Sequence, residues 1–575
     1  EGAGEDPYLG SLIAKAMVKG YQGKNLKDKT SVMACVKHFA LYGAVEAGRD
    51  YNTVDMDRVT MYNFYFPPYK AAVDAGAASV MTSFNEVESV PATANKWLLT
   101  DVLRKQWGFK GFVVTDYTAI NEMMAHGMGD SIKVAELALK AGVDMDMISE
   151  AFVRYLKKLL EEKKITQKEI DDACTRILEA KYKLGLFDDP YKNLHTEDAK
   201  KMIFTESNVK FAREAATNSM VLLKNERNIL PLQKSGTIAL IGPLADDKRD
   251  MFGPHGAAGD WKQNVSVMEG LKKIPGVNIL YAKGANLTDD IPLLKRLNSD
   301  GGDIKIDSAK TPEQLIDEAV NTASKADAIV AVLGESQGMS GEAASRSMIG
   351  LPECQENLLK ALVKTGKPVI LVLMNGRPLT LQWENDHANA ILETWFPGTE
   401  AGDAVADVIF GNYNPSGKLT VSFPRNTGQI PIYYNHKNTG RPFNADQKYT
   451  SKYLDVPNTP LYPFGYGLSY TSFEYGDIQL SSKSLKGNET LTASIKLTNT
   501  GTLEGKEVVQ LYIRDLVGSI THPVKELKGF QKVDLKAGES KTVSFKIMPD
   551  DLKFYNGDLK YDWEPGEFVI MIGTN

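Results

Sequence analysis

Phe112-Val-Val-Thr-Asp-Tyr117 is an apolar, strand-length run that ends in a carboxylate, and the sequence around it decides the fold. Similar runs occur at Val32–Phe39, Ala78–Ser83 and Gly142–Met147. Helix-favouring sequence follows, at Thr93–Gln106 after Ala78–Ser83 and at Ser131–Ala141 after Phe112–Thr115. Strands alternating with helical segments of about 10–15 residues read as parallel βα units. A closed eight-stranded barrel needs about 250 residues, and residues 1–190 offer only roughly four or five recognisable strands. The first block therefore reads as the C-terminal part of a (β/α)8-like, TIM-type barrel, with its opening strands expected before Glu1.

Working outward, residues 191–215 carry few apolar side chains and read as a linker leading into a helix. Gly236–Gly242, Ala328–Gly334 and Pro368–Met374 are continuous apolar runs, as expected of strands buried on both faces. Helix-like segments at Gln314–Ala326 and Cys354–Thr365 lie between them, so residues 216–420 read as an open parallel sheet in an α/β sandwich. Residues 421–475 are rich in Pro, Gly, Asn and Tyr and read as a connecting loop region. From 476 to 575 the period changes to two, in Leu491–Leu497, Val508–Ile513, Thr542–Ile547 and Glu567–Ile572. Short alternating strands separated by turns such as Asn499-Thr-Gly501 and Asn556-Gly-Asp558 predict a β-sandwich.

Composition narrows the function. The 575 residues, at about 150 per domain, allow roughly three or four domains. A hydrophobic content of 43% excludes global disorder. A net charge of −6 offers no basic face for nucleic acid. No apolar run approaches the ~18 residues of a membrane span, and the N-terminus does not read as a signal peptide. The three cysteines, Cys35, Cys174 and Cys354, are too few and too far apart for a disulfide framework. HExxH, CxxC, a GxSxG nucleophile elbow and GxGxxG are all missing, and the seven histidines are scattered. No metal site and no cofactor are expected.

Carboxylate chemistry remains. Asp116 stands at the carboxyl end of a strand, where barrel enzymes place their sites. A helix cap or a loop Asp is the plainer reading of such a residue. Lys37 and His38 interrupt the apolar run Val32–Phe39, which is costly unless they find partners; a structural ion pair would serve. Glu342 sits in a Gly-rich loop after a buried strand, either solvated or carried into a cleft. Two carboxylates in an otherwise motif-poor chain suggest glycoside hydrolysis, which needs a nucleophile and an acid/base about 5 Å apart.

Several further segments make the suggestion sharper. Gly4-Glu-Asp-Pro-Tyr-Leu9, Val36-Lys-His-Phe39, Gly48-Arg-Asp-Tyr-Asn52, Met81-Thr-Ser-Phe-Asn85 and Trp107–Asp116 are followed by Ser340-Gly-Glu342, Asn375-Gly-Arg377, Tyr413-Asn-Pro-Ser-Gly-Lys418 and Pro463-Phe-Gly-Tyr-Gly467. In these segments, and in their order along the whole chain, the sequence resembles glycoside hydrolase family 3, and within it the bacterial periplasmic β-glucosidase type. The resemblance implies a retaining exo-glycosidase that removes terminal β-D-glucosyl residues, with a site between the barrel and the α/β sandwich and a fibronectin type III-like domain at the end. Asp116 matches the nucleophile and Glu342 the acid/base, with Glu335 as its nearest rival. Lys37, His38, Met81 and Tyr117 match substrate-binding positions. Phe84 departs from the pattern, standing where many relatives carry a Tyr that hydrogen-bonds the nucleophile. An Asp and an Arg that grip the same sugar would precede Glu1. The implied partner is a β-glucoside or oligosaccharide, the implied compartment the periplasm or the exterior, and a homo-oligomer is compatible. A β-xylosidase or α-L-arabinofuranosidase is the alternative within the family, and an inactive carbohydrate-binding fragment the alternative outside it.

Overall fold

The computed structural model describes residues 3–574 except 195, 257–258 and 300–301. The chain divides into two compact units, Gly2–Lys201 with Phe554–Asp562, and Met202–Lys553 with Trp563–Asn575.

In the first unit, strands Cys35–Phe39, Ser79–Thr82 and Phe112–Val114 form a parallel sheet in that order. The expected strand Gly142–Met147 contributes one bridge, Val114 to Met145. The reason lies in Asp144, whose carboxylate accepts the Val113 N–H at 2.8 Å where a strand carbonyl would otherwise do so. Ser131–Ala141 is helical as expected, capped by the Asp130 side chain and stopped by Gly142 at φ 115°. The helix expected from Thr93 begins later, at Trp97, and runs to Gln106 as a π-helix. Asn95 delays it, since its extended backbone and its side chain, bonded to Val87 O and Leu98 N, cap the start. Leu98, Leu99, Val102 and Leu103 on this helix pack with Phe39, Phe66, Val80 and Val113 in one buried core. That core fixes the strand ends that carry the candidate residues. The two-stranded segment Phe554–Asp562 belongs here as well: the Asn63 side chain donates to Tyr555 O (2.9 Å) and accepts from Tyr555 N (2.8 Å).

The helix Thr196–Met202 ends the first unit and the helix Glu206–Ser219 begins the second, and together they occupy most of the segment expected to be a linker. The sheet of the second unit has six strands in the order Val221–Asn225, Ala390–Glu393, Val369–Met374, Ala328–Gly334, Gly236–Ile241, Val277–Ala282. Pairing is parallel except for Val221–Asn225, which runs antiparallel to Ala390–Glu393. The two central strands are buried at every position, which is why they read as unbroken apolar runs. After an irregular stretch, two antiparallel sheets form a β-sandwich. Leu491–Asn499 and Ser540–Ile547 lie in one, and Gly505–Asp515 between Glu526–Leu535 and Phe568–Gly573 makes the other. Leu491, Ala493, Ile495 and Leu497 pack there against Val509, Leu511, Ile513, Val543 and Phe545.

Among the described residues, no helix is long and apolar enough to cross a membrane. All three cysteines are free thiols.

Candidate active site

Asp116 follows the strand Phe112–Val114 at the point where the backbone turns. Thr115 N donates to Met145 O, and the Thr115 hydroxyl accepts from Met147 N at 2.9 Å, so the strand end is tied to its neighbour. Thr118, at φ 59°, then turns the chain into the short helix Ala119–Glu122. Asp116 does not cap that helix through its side chain. Its Oδ1 accepts from Tyr117 N at 2.7 Å. Its Oδ2 is buried, lies 3.2 Å from His38 Nε2, and has no hydrogen-bond partner among the described residues. Buried acceptors are normally satisfied, so an unsatisfied carboxylate oxygen at a strand end is a candidate for binding or chemistry.

His38 reaches Asp116 from the first strand. The register of Cys35–Phe39 against Ser79–Thr82 is interrupted between Val36 and Phe39, and Lys37 and His38 fall in the interruption. The Tyr69 hydroxyl donates to His38 O at 2.7 Å. Tyr42 packs edge-on against the imidazole at 5.5 Å between centroids. Lys37 is exposed and makes no ion pair among the described residues, so the pairing alternative holds for His38 and not for Lys37. Met81 pairs in register with Val114, and Tyr117 is 58% exposed beside the buried Asp116. Phe84 contacts the rings of Tyr42 (6.1 Å) and Tyr51 (5.4 Å). Ser83 and Asn85 both donate to Ala40 O, which ties the loops after the first two strands together.

Glu342 and Glu335 belong to the other unit. Glu335 follows the strand Ala328–Gly334 directly and is wholly buried, with Arg346 Nη1 at 2.6 Å and Arg377 Nε at 3.1 Å from its Oε1. Two guanidiniums thus hold this carboxylate away from water. Glu342 is exposed, in a turn between Gly341 (φ 95°) and Ala343 (φ 55°). Of the two glutamates, Glu342 alone is accessible.

Residues 1–180 match the glycosyl hydrolase family 3 N-terminal domain, 220–470 the family 3 C-terminal domain, and 507–575 a fibronectin type III-like domain. The chain is 53% identical to a periplasmic β-glucosidase of Salmonella typhimurium, over 100% of its own length and 76% of that protein's. It belongs to glycoside hydrolase family 3.

A β-xylosidase of Formosa agariphila is 41% identical, over 100% of this chain and 78% of its own. Among solved structures, a β-glucosidase from Listeria innocua in complex with isofagomine superposes with a TM-score of 0.93 at 42% identity, covering 100% of this chain and 78% of that one. These similarities establish a glycoside hydrolase with the two α/β domains of family 3 and a fibronectin type III-like β-sandwich. Within this family 3 enzyme, sequence reasoning missed the ring cluster of Tyr42, Tyr51 and Phe84 beside His38. Gly48-Arg-Asp-Tyr-Asn52 carried part of that signal, because a Tyr in a polar loop has no core to enter. It also missed Arg346 and Arg377 as the partners of Glu335, since ion pairs across many residues leave no local pattern.

Proposed function

We propose that this family 3 hydrolase is a retaining exo-β-glucosidase in which Asp116 is the nucleophile and Glu342 the acid/base. The observation that carries the reading is the buried Oδ2 of Asp116 at a strand end, 3.2 Å from His38 Nε2 and without a hydrogen-bond partner among the described residues. Asp116 attacks the anomeric carbon as the bond from that carbon to the leaving oxygen breaks, and Glu342 gives its proton to that oxygen. Glu342, now a carboxylate, takes a proton from water. The water oxygen attacks the anomeric carbon and frees Asp116. Lys37 and His38 hydrogen-bond hydroxyls of the terminal sugar, Met81 contacts it, and Tyr117 offers a ring face. No step calls for a metal or an organic cofactor. The names of the relatives favour glucose. The Formosa β-xylosidase keeps xylose as the second reading, and a non-catalytic binding fragment draws no support from the relatives. The Salmonella relative's name also favours the periplasm.

A 2-fluoro-β-glucoside with a good leaving group tests the assignment, because fluorine slows hydrolysis of the glycosyl-enzyme. Peptide mapping is expected to find the label on Asp116. Label on another carboxylate, with Asp116 unmodified, would sink the nucleophile assignment. Comparing 4-nitrophenyl β-glucoside with the xyloside separates the two sugars, with the glucoside expected to be the better substrate.

A further inference from the structure

The loop that presents Glu342 has no regular structure of its own, and a glutamate between two residues in the left-handed region would wander unless something held the loop. Loop side chains become precise only when a rigid scaffold ties them down. Side chains outside the loop do so. Arg377 follows the strand Val369–Met374, and its Nη2 donates both to Met339 O and, at 2.9 Å, to Ala344 O. Those carbonyls flank Ser340–Ala343, so a single guanidinium nitrogen closes the segment with Glu342 inside it. Glu335 completes the arrangement. It accepts from the Ser340 hydroxyl (2.9 Å) on one side of Glu342 and from Arg346 (2.6 Å) on the other, while Arg377 Nε reaches it at 3.2 Å. Arg346 in turn donates to Gly350 O at 3.1 Å and anchors the exit of the loop.

The scaffold behind Arg377 is equally fixed. Asn375 donates to Arg377 O (2.9 Å) and to Glu393 Oε2 (3.0 Å) at the end of a neighbouring strand. Gly376 has to be glycine here, because a Cβ would lie 2.7 Å from Ser340 Oγ and 2.8 Å from Ser340 Cβ. The Asn375-Gly-Arg377 segment is thus the surface against which the Glu342 loop is pressed. We propose that Glu335, Arg377 and Arg346 form a clamp of positioning residues that holds Glu342 in place for proton transfer. This inference rests on the assignment of Glu342 as acid/base. It gives Glu335 a role that is not catalytic: it neutralises and aligns the two guanidiniums that grip the loop.

Lysine cannot reproduce the planar fork that serves two carbonyls and a carboxylate together. A misplaced acid costs most when the leaving group needs its proton. The test therefore compares kcat/KM of Arg377→Lys and Glu335→Gln on two aryl β-glucosides, 4-methoxyphenyl (poor leaving group) and 2,4-dinitrophenyl (good). Both variants are expected to lose about 10- to 100-fold on the first and less than about 3-fold on the second. Azide should partly restore kcat on the dinitrophenyl substrate. Equal losses on both substrates, or no loss on the first, would overturn the clamp. Ser340→Ala removes one hydrogen bond to Glu335 and little volume, and decides the matter if the other variants do not fold. It should show the same selective loss, at about 3- to 10-fold, and loss of equal size on both substrates counts against the clamp. Glu342→Ala separates the two levels of inference. If it lacks both leaving-group dependence and azide rescue, the acid/base assignment itself falls. If it has both and the clamp variants have neither, the clamp alone falls.

Discussion

Asp144 illustrates how much a single side chain decides in the first unit. Its side chain is wholly buried, and it accepts from Arg104 (2.5 Å), Arg176 (2.8 Å) and Val113 N (2.8 Å). Burial lowers the Arg104 pKa and raises that of Asp144, so neither charge is held by water and each depends on the other. Removing one partner of such a group leaves an uncompensated charge, at a cost of about 3–5 kcal/mol. Asp144→Asn is expected to lower stability by that amount in urea unfolding and to lower turnover as well, because the strand it ties leads straight into Asp116. An unchanged urea midpoint would refute this. Asp144 was legible only as part of an apolar run, Gly142–Met147, and its real task is set by arginines far along the chain. Asp116 was legible because the strand before it is short and apolar and ends on it. Residue types do not separate Glu342 from Glu335; the family resemblance favours Glu342, and in the structure Glu335 is buried between Arg346 and Arg377 while Glu342 is exposed.

Elements were legible in proportion to how far their environment is uniform. Ala328–Gly334 and Val369–Met374 are central and buried on both faces, so their composition announces them. Ala390–Glu393 is equally buried but only four residues long, too short for any period to show. Val277–Ala282 lies at the sheet edge, with Asn278 and Tyr281 exposed, and imitates a loop. Glu526–Leu535 carries exposed Gln531 and Lys532 through its middle for the same reason. The two central strands meet backbone to backbone at Gly334 and Met374. Gly334, at φ 146°, lies so close to its neighbour that a Cβ would stand 1.9 Å from Met374 O. That carbonyl also accepts the Glu335 N–H at 2.8 Å, so the strands cannot part without loosening the root of the Glu342 loop. Gly334→Ala should therefore destabilise by about 3 kcal/mol, since backbone cannot yield as a side-chain end can. Activity should fall alongside. Urea unfolding at wild-type midpoint, with wild-type kcat, would refute the strain.

At the scale of the whole molecule, what stayed hidden in the sequence is long-range. Phe554–Asp562 falls inside the β-sandwich segment yet groups with the first unit through Asn63 and Tyr62, whose ring lies 4.7 Å from that of Tyr555. Nothing local encodes a contact nearly five hundred residues apart. The buried carboxyls in and around the α/β sheet are long-range in the same sense, and they set how stability responds to pH. Glu393 is completely buried, accepting from Trp395 N (2.8 Å) and Asn375 (3.0 Å), and burial pushes its pKa up to about 8. Burial likewise lifts Glu384 to about 7, and raises Asp250 with the help of the neighbouring Asp247 charge. The folded protein thus holds protons that the unfolded chain, with ordinary carboxyls, releases near pH 4.5. The stabilising contribution of a raised carboxyl is complete below the unfolded value and is lost as pH rises through the folded one. For Glu393 that window runs from about 4.5 to about 8. Glu393→Gln keeps the shape and a hydrogen-bonding side chain but cannot ionise, so its stability lacks this decline. Calorimetric melting at pH 5 and pH 8.5 should show the variant gaining on the wild type at the higher pH. Parallel shifts of the two proteins between these pH values would mean that Glu393 does not hold its proton in the folded state.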